Sequence, residues 1–372
     1  MRSLLLLLLT FLFAPGQSFA QDADAYQKSF DAGIAALSAG RLDEGIAAFK
    51  KCIEIEPADP ISPYNVACGY ARKAEKDSVF EWLDKAANLG FGNLYDAGGT
   101  SNLSFCQSDT DLTSLHDDPR WAKFVEQMTT LRKPWEEFIA TPALYVPKAL
   151  EGAQELALLV VLHDLGKSKN SVIEGRWKHI ADELGCALLA PSGKIPMKPL
   201  DLGAGMSWFN SPLSYPKTFR NDERPVFDAL LNFQKTHKLI AERVFIAGDG
   251  IGATVAFNIA TAKSSAFRGV VMVDGIVISQ LAGSRVAGAS KAGLRVHAIF
   301  NKAKMTKALK GREAQPVIDT LARNLTAWKL INKVEGFEPV DGQPDPTEAM
   351  ALAALRSFLV PLPAPAEAGS GK

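Results

Sequence analysis

The chain has 372 residues, 47% of them hydrophobic, and its 41 Lys and Arg residues balance its 41 Asp and Glu residues. This length and composition supply enough apolar side chains for two domains with separate cores. The zero net charge excludes the strongly basic surface that proteins use to bind nucleic acids. We therefore predict no nucleic-acid partner.

The first twenty residues have the three parts of a secretory signal peptide. Arg2 lies next to the N-terminus, a largely apolar run of residues 4–13 follows, and small residues close the segment at Ser18 and Ala20. A run of this length is too short to span a bilayer comfortably. We expect cleavage after Ala20 and export of the mature chain, periplasmic or secreted, with no membrane span. An uncleaved N-terminal anchor is the alternative.

The four cysteines, at positions 52, 68, 106 and 186, have spacings that match no metal-binding motif. We predict no metal site and no cofactor. The apolar periodicity places Cys52 and Cys68 on buried helix faces, where cysteine acts as a small apolar residue. Because exported proteins can form disulfides, a bridge between these two residues stays open.

Residues 25–90 contain two similar helical units, the first starting at Tyr26 and the second at Pro60. Small residues recur in both units because paired helices must approach closely, and larger residues fill the gap between them. A period of 34 residues is typical of tetratricopeptide repeats, and the segment resembles that family. The positions matched at this offset are Gly33 with Ala67, Ala36 with Tyr70, Gly45 with Val79, Phe49 with Leu83 and Cys52 with Ala86.

This resemblance implies a groove on the inner helix faces that binds a peptide or a protein partner. The candidate contact residues are Tyr26, Phe30, Asn65 and Arg72. Two repeats rarely bury enough surface alone, since three or more are normally needed. We therefore predict that residues 112–124 form a degenerate capping unit, and that the Gly-, Ser- and Asn-rich stretch before them is an irregular loop.

Strands alternate with helices beyond residue 144, which predicts a parallel, doubly wound sheet. Short apolar runs predict buried strands at residues 156–162, 187–190, 243–247, 269–273 and 294–300. Helices are predicted at residues 176–184, 224–237, 253–263 and 347–358. The predicted divisions are a signal segment (1–20), a helical domain (21–143), an α/β domain (144–360) and a Pro- and Ala-rich tail (361–372) expected to be disordered.

The segment Gly248-Asp249-Gly250-Ile251-Gly252 lies between a predicted strand and a predicted helix. It resembles the nucleophile elbow of α/β-hydrolases, Gly-x-Ser-x-Gly, in which tight backbone packing requires the outer glycines. Upstream, His163 and Gly166 match the His-Gly-x-Gly loop of that fold, and residues 205–209 match a segment of phospholipase- and carboxylesterase-type enzymes. The resemblance implies an α/β-hydrolase-like, doubly wound, mostly parallel sheet, preceded by the small all-α tetratricopeptide-like domain.

The catalytic triad expected of such an enzyme is missing. Gly250 occupies the nucleophile position and has no side chain that could attack a carbonyl. The loop that matches the acidic member, residues 301–304, contains no carboxylate, and Phe337 occupies the histidine position. Because loss of triad members removes orders of magnitude in rate, we predict a non-catalytic binding or interaction protein, a pseudoenzyme.

A small-molecule ligand could bind in the cleft above the elbow, where the amide groups of the oxyanion loop persist without a nucleophile. The candidate lining residues are His163, Asp164, Leu165, Ser207 and Asp249. Asp164 stands where the related loop has a glycine.

Other functions stay open. A weak serine esterase or peptidase would need a relocated nucleophile, with Ser168, Ser192 or Ser207 as candidates and His163 as the base. Asp249 as nucleophile is out of register with the elbow by one residue. The glycine spacing does not match the Gly-x-Gly-x-x-Gly of a dinucleotide site. A purely structural role in the cell envelope is the remaining alternative.

Overall fold

The structure is a computed structural model that describes residues 17–94, 100–208, 223–277, 285–309 and 311–360. Residues 1–16 of the predicted signal segment and the predicted tail 361–372 lie outside the described residues. The chain divides into two compact units. The first extends to Ala140 and also includes Gly193–Arg224, and the second comprises Thr141–Ser192 and the residues from Pro225 onward. The predicted division at residues 143 and 144, with one continuous segment per domain, stays a prediction.

Four helices in succession form the first part of the helical unit, and short loops of three to five residues connect them. Short connections make neighbouring helices antiparallel. Each helix packs on the one before it, as the apolar periodicity indicates. The predicted cleavage point after Ala20 lies in the first turn of the first helix. The helices are α1 (Gln17–Ser38), α2 (Leu42–Ile55), α3 (Ile61–Arg72) and α4 (Lys76–Asn88).

Glycine residues allow these helices to approach closely. A Cβ atom on Gly33 would lie 2.8 Å from the ring of Phe49, and one on Gly45 would lie 2.5 Å from Cδ2 of Leu37. Both contacts join α1 to α2. The close packing inferred from the 34-residue period is therefore present between the helices, whereas membership of the tetratricopeptide family stays a prediction.

The stretch expected to be an irregular loop contains a 3-10 turn at Phe91–Asn93 and a helix α5 at Asn102–Ser108, so that expectation was wrong for its described part. Ser101 caps α5 by accepting a hydrogen bond from the Ser104 N–H at 3.2 Å. Helix α6 (Pro119–Ala140) follows. Residues 112–124 add apolar side chains to the core of the second hairpin, as a capping unit would: Leu112, Leu115, Trp121 and Phe124.

Residues 193–208 belong to the helical unit by their contacts, although the sequence analysis assigned them to the α/β domain. Two short antiparallel strands, β4 (Ile195–Pro196) and β5 (Met206–Ser207), form a ladder here. The side-chain amide of Asn93 donates to the carbonyl of Pro199 at 2.6 Å. This hydrogen bond ties the segment to the turn that follows α4.

The α/β unit is built on a seven-stranded sheet with the order β1-β3-β2-β6-β7-β8-β9. All neighbouring strands pair in parallel except β1, which is antiparallel to β3. Its central strands are buried on both faces, which explains their continuous apolar runs. The strands are β1 (Ala143–Tyr145), β2 (Glu155–Leu162), β3 (Ala187–Ala190), β6 (Lys238–Asp249), β7 (Gly269–Val273), β8 (Arg295–Asn301) and β9 (Ile331–Phe337).

Helices connect the parallel strands, as parallel pairing requires. After β3 the chain returns past β2 to form β6 on its other side, so the direction of winding reverses between β2 and β6. Ligands of doubly wound sheets bind outside the carboxyl ends of the strands at such a switch point. The helices are α7 (Lys169–Ile173), α8 (Arg176–Leu184), α9 (Arg224–Thr236), α10 (Ile251–Ala262), α11 (Val286–Lys291), α12 (Lys302–Ala308), α13 (Gln315–Ala327) and α14 (Thr347–Leu359).

The predicted fold class is confirmed: the sheet is mostly parallel, doubly wound and α/β-hydrolase-like, and a helical region precedes it. A search of the helices within the described ranges found none that combines the length and the apolar character of a membrane span.

Candidate functional site

A sharp turn joins β6 to α10 at the switch point. Gly250 is the only residue between the strand and the helix, and it has φ +52° and ψ −118°. Residues with a side chain adopt this conformation only under strain. The Gly250 N–H donates to the carbonyl of Val273 at 2.8 Å, which fixes the turn against the neighbouring strand.

The two outer glycines of the elbow are required by backbone packing. A Cβ atom on Gly248 would lie 2.5 Å from the carbonyl carbon of Gly252. A Cβ atom on Gly252 would lie 2.3 Å from the carbonyl oxygen of Leu162. Strand β2, strand β6 and helix α10 therefore meet backbone to backbone, and no side chain could move aside to admit a larger residue.

The Asp164 carboxylate fills the space that a nucleophile would need. A Cβ atom on Gly250 would lie 1.9 Å from Oδ1 of Asp164. The same oxygen accepts hydrogen bonds from the backbone N–H groups of Leu165, at 2.7 Å, and Ile251, at 3.0 Å. In α/β-hydrolases the oxyanion hole consists of the N–H after the nucleophile and an N–H from a loop that follows an earlier strand. Here a carboxylate of the chain itself holds both donors.

The surroundings of Asp164 shift its pKa in opposite directions. Burial raises the pKa of Asp164, and the nearby Asp249 carboxylate raises it further. The N–H groups of Ile251 and Leu165 act in the opposite direction. Asp164 also lies at the N-terminus of the twelve-residue helix α10, where the helix dipole favours negative charge. The carboxylate is thus held in place by the donors that an enzyme of this fold would offer to its substrate.

Asp249 is fully engaged as well. Its Oδ1 lies 2.5 Å from Nη2 of Arg176, and its Oδ2 accepts from the indole N–H of Trp177 at 2.7 Å. Both oxygens have partners on α8. The side chain is therefore held as a structural ion pair and is not free to attack a substrate.

His163 precedes this carboxylate and is buried, with 1% of its surface exposed. Its Nδ1 donates to the carbonyl oxygen of Asp164 at 2.8 Å. Burial lowers the pKa of His163 to about 4, so the imidazole is neutral at pH 7. Of the predicted lining residues, the structure brings together His163, Asp164, Leu165 and Asp249.

Ser207 belongs to the other unit, where it is buried and pairs with Ile195 in the β4–β5 ladder. The other candidate serines are at strand and helix ends. Ser168 is the N-cap residue of α7, with its backbone hydrogen-bonded to the Ser171 side chain, and Ser192 follows β3 and is fully buried.

The positions that would supply the other triad members lie at the same end of the sheet. Asn301, at the end of β8, accepts a hydrogen bond from the Lys304 N–H and so caps α12. Phe337 is the last residue of β9 and packs against the core. A carboxylate that the sequence analysis did not single out, Asp274, follows β7 and accepts from the Asn301 N–H at 2.7 Å. It is 3.6 Å from the ammonium group of Lys304.

The carboxylates Asp164, Asp249 and Asp274 therefore lie at the carboxyl end of the sheet with the cations Arg176 and Lys304. Asp345 is a further carboxylate that interacts electrostatically with both cations. Burial raises the pKa of Asp274, and the Asn301 N–H opposes that rise. No group of three or more His, Cys, Asp or Glu side chains within the described ranges has a geometry that could hold a metal ion. The four cysteines are buried free thiols, including Cys52 and Cys68.

The partner-binding candidates of the helical unit differ in accessibility. Phe30 is 4% exposed and packs edge-on against Phe49, so it is a core residue and cannot contact a partner. Tyr26 is half-buried, and its hydroxyl donates to Asp59 at 2.8 Å. Asn65 is half-buried, and Arg72 is exposed while one of its guanidinium N–H groups donates to the carbonyl of Leu37. Tyr26, Asn65 and Arg72 remain as surface candidates.

Comparisons with known proteins give limited information. No protein-family profile matches the chain, and no curated protein is similar to it. Esterase PE8 is similar over 59% of this chain and 98% of its own, with a TM-score of 0.45 and 14% identity. An uncharacterized protein from Bacillus cereus ATCC 10987 covers 90% of this chain and 98% of its own, with a TM-score of 0.43 and 11% identity.

A carboxylesterase from Mesorhizobium loti covers 54% of this chain and 88% of its own, with a TM-score of 0.41 and 18% identity. These similarities are too weak to carry an argument about activity.

The sequence shows that Gly250 occupies the nucleophile position, but it does not show that the Asp164 carboxylate lies in that space. One signal was present: Asp164 replaces a glycine in the oxyanion loop, and Gly250 replaces a serine in the elbow. The two changes are complementary, because removing one side chain makes room for the other. The two changes can be recognised as complementary only in the structure, where the loop of Asp164 contacts the turn at Gly250.

Proposed function

We propose that this chain is an exported, non-catalytic protein of α/β-hydrolase-like fold, whose tetratricopeptide-like repeats bind a peptide or a protein partner. The observation that supports the non-catalytic role is the position of Asp164. Its carboxylate takes both N–H groups that an oxyanion would use, and it occupies the space of the nucleophile side chain.

The site opposes acyl transfer electrostatically. A tetrahedral intermediate would have to displace Asp164 from the N–H groups of Leu165 and Ile251, and a buried carboxylate left without donors costs about 1–3 kcal/mol or more. The negative intermediate would then meet the two influences that raise the pKa of Asp164, burial and the nearby Asp249 carboxylate. Hydrolases gain much of their rate from N–H donors placed where the negative charge of the intermediate develops. Here the corresponding N–H groups already donate to Asp164.

The histidine beside the elbow is poorly suited to act as the general base. His163 is the histidine nearest the elbow, but its Nδ1 proton is held by the carbonyl of Asp164. A group with a pKa of about 4 is a weak proton acceptor at neutral pH. Phe337 offers no proton-accepting atom.

A small ligand in this cleft would meet acceptors rather than free amide donors. Asp164 and Asp274 lie at this end of the sheet, Asp249 is held by Arg176 and Trp177, and the Leu165 N–H is already taken. We therefore expect a neutral hydroxylated or a cationic ligand to bind better than an anion. This modifies the expectation from the sequence, which had the loop amides free.

The decisive experiment for the non-catalytic role treats the mature protein with a fluorophosphonate probe and, separately, with activated esters. We expect no labelling and no hydrolysis above the uncatalysed rate. The alternative, a weak esterase with a relocated nucleophile, predicts stoichiometric labelling of one serine. Alanine variants of Ser168, Ser192 and Ser207 would identify that serine, because only one of them would abolish the label.

Partner binding by the repeats needs a separate test. A display library of random peptides, selected on the mature protein, should yield a consensus whose binding is weakened by Arg72→Ala and Asn65→Ala. Lys51→Ala, an exposed lysine on α2, is the matched control and should bind as the wild type does. Binders that are indifferent to both α3 substitutions would contradict a role for this helix face.

A further inference from the structure

Strand β9 lies at an edge of the sheet. Among the described residues it pairs only with β8, and none of its backbone groups has a hydrogen-bonding backbone partner on its outer side. Exposed edge strands are templates for pairing with another strand, and proteins normally protect them with proline, bulges or charges. The seven residues of β9 contain no proline and pair with β8 without a register shift, and their two charged side chains, Lys333 and Glu335, have opposite signs.

The sequence of β9 is complementary to itself. It reads Ile331-Asn332-Lys333-Val334-Glu335-Gly336-Phe337. Counted outward from Val334, a lysine on one side matches a glutamate on the other. The next positions pair asparagine with glycine, and the outermost pair is Ile331 with Phe337. An antiparallel copy of the same strand would therefore place opposite charges opposite each other and apolar residues opposite apolar residues.

One face of β9 beside this edge is partly exposed among the described residues. Helix α13 packs on one face of the strand, where Gly336 lies close to Ile318. The other face borders a groove of about 640 Å³ between β8, β9 and α14. Ile331 and Val360 line the groove and are 44% and 62% exposed. Apolar side chains at an open strand edge are what a second sheet would cover.

We propose that two copies of this chain associate through β9, in antiparallel pairing about a two-fold axis at Val334. Such an interface is isologous, so each contact occurs twice. The two sheets become one continuous sheet, and the two grooves merge on one face of it. Within one copy the Lys333 ammonium group already contacts Oε2 of Glu335 at 2.8 Å. In the dimer Lys333 of each copy also lies directly opposite Glu335 of the other, within the distance at which cross-strand pairs interact.

The charges select this register among its neighbours. A two-fold axis at Lys333 would place two lysines opposite each other, and an axis at Glu335 would oppose two glutamates. Like charges directly opposite in a sheet are destabilising. A shift by one residue would place Lys333 opposite Val334 and leave both charges without a cross-strand partner. The axis at Val334 is the arrangement in which all three outer pairs are compatible.

The first test is a charge exchange in the full mature chain, measured by sedimentation equilibrium. Wild type should be dimeric. Lys333→Glu converts both ion pairs into like-charge pairs and should weaken the dimer at least about tenfold. An equimolar mixture of Lys333→Glu with Glu335→Lys should form heterodimers, because each copy then offers the complement of the other. Lys263→Glu, an exposed lysine after α10, is the control and should leave the dimer intact.

A second test avoids any change of charge. Val334→Cys places two thiols opposite each other at the axis, where antiparallel Cα atoms are about 4.5–5.5 Å apart, within the range that a disulfide spans. Oxidation should cross-link this variant, and Val340→Cys, exposed and off the axis, should not.

A monomeric wild type overturns the proposal. A dimer indifferent to Lys333→Glu that also gives no cross-link at position 334 overturns it as well, because such a dimer uses another surface. If Glu335→Lys fails to fold, since Glu335 contacts the buried His297 at 2.6 Å, the Lys333→Glu and Val334→Cys variants decide the matter alone.

Discussion

Glycine brings backbones together in both units of this protein, but its neighbours differ. In the helical unit, a side chain added at Gly45 would meet the end of the Leu37 side chain. In the α/β unit, a side chain added at Gly252 would meet the carbonyl oxygens of Leu162 and His163. A leucine can change rotamer to accommodate a new methyl group, whereas a carbonyl in a buried parallel strand is fixed by its ladder of hydrogen bonds.

Gly250 is a third case, because its neighbour is a charged side chain. The Asp164 carboxylate could rotate away, but it would leave two N–H donors behind. Glycine is therefore required for three different reasons: side-chain packing between helices, backbone contact at the elbow, and space for a buried carboxylate. These constraints predict different costs of substitution.

The largest effect is expected at the backbone contact. Gly252→Ala should destabilise the protein by at least about 3 kcal/mol, because the new methyl group would lie 2.3 Å from a main-chain oxygen. Gly288→Ala on α11 is the matched control, since nothing lies within 4 Å of a Cβ there. Alanine should stabilise that helix slightly. Urea unfolding measures both, and equal effects would refute the distinction between the sites.

Gly250→Ser tests the carboxylate contact. We expect a loss of about 2–4 kcal/mol, since the serine carries the strain of φ +52° and overlaps with Asp164. Asp164→Gly should relieve the overlap, so the double variant should lose about 1–3 kcal/mol less than the sum of the single losses. Strict additivity in urea unfolding would show that Asp164 does not occupy this space. Neither variant should gain esterase activity, because Phe337 remains at the histidine position.

Lowering the pH should destabilise the protein through the buried imidazole of His163 beside the elbow. The pKa of His163 is about 4 in the folded chain, below its ordinary value of 6.5, so the unfolded chain binds more protons between these two values. The stability that neutral His163 provides is complete above pH 6.5 and is lost as pH falls toward 4, by up to about 3 kcal/mol. His163→Asn keeps a donor for the Asp164 carbonyl but cannot be protonated.

The measurement is the unfolding free energy of both proteins at a series of pH values between 6.5 and 4. Wild type should lose stability more steeply than His163→Asn over this interval. Parallel pH profiles would show that His163 is not held neutral by burial.

The smallest effect is expected between the helices. Gly45→Ala introduces a methyl group 2.5 Å from Cδ2 of Leu37, but that atom ends a flexible side chain. The higher helix propensity of alanine offsets part of the overlap. We expect a net loss of about 1 kcal/mol or less in urea unfolding. A loss as large as that of Gly252→Ala would mean that the helices are packed as rigidly as the elbow.

Much of the fold could be predicted from the sequence because its signals are local. The apolar runs that predicted β3 and β7 match Ala187–Ala190 and Gly269–Val273, and the predicted helix at 176–184 matches α8. Strand β9 was missed because the apolar residues of Ile331–Phe337 recur only at every third position, which gives neither a continuous apolar run nor the alternation of a half-buried strand. Helix α13 was missed as well. Edge elements are stabilised on one side only, and their sequences carry a weaker pattern.

The site was only half predictable for a related reason. The elbow motif alone identifies position 250 as the nucleophile position, and the residue there is glycine. The presence of a carboxylate in its place depends on Asp164, which is 86 positions away along the chain. Likewise, the burial of Phe30 depends on Phe49 of the next helix, and the contact of residues 193–208 with the helical unit depends on Asn93.

By itself, the sequence determined the alternation of strands and helices, the 34-residue period and the presence of glycine at position 250, between the strand and the helix. Periodicity and motif spacing act over short stretches of chain, so a single sequence records them. The tertiary structure alone decided that the Asp164 carboxylate lies beside Gly250, that it accepts from the N–H groups of Leu165 and Ile251 and that β9 is the last strand of the sheet. These properties arise where distant segments meet, and burial and hydrogen bonding select among side chains only once the segments are in contact.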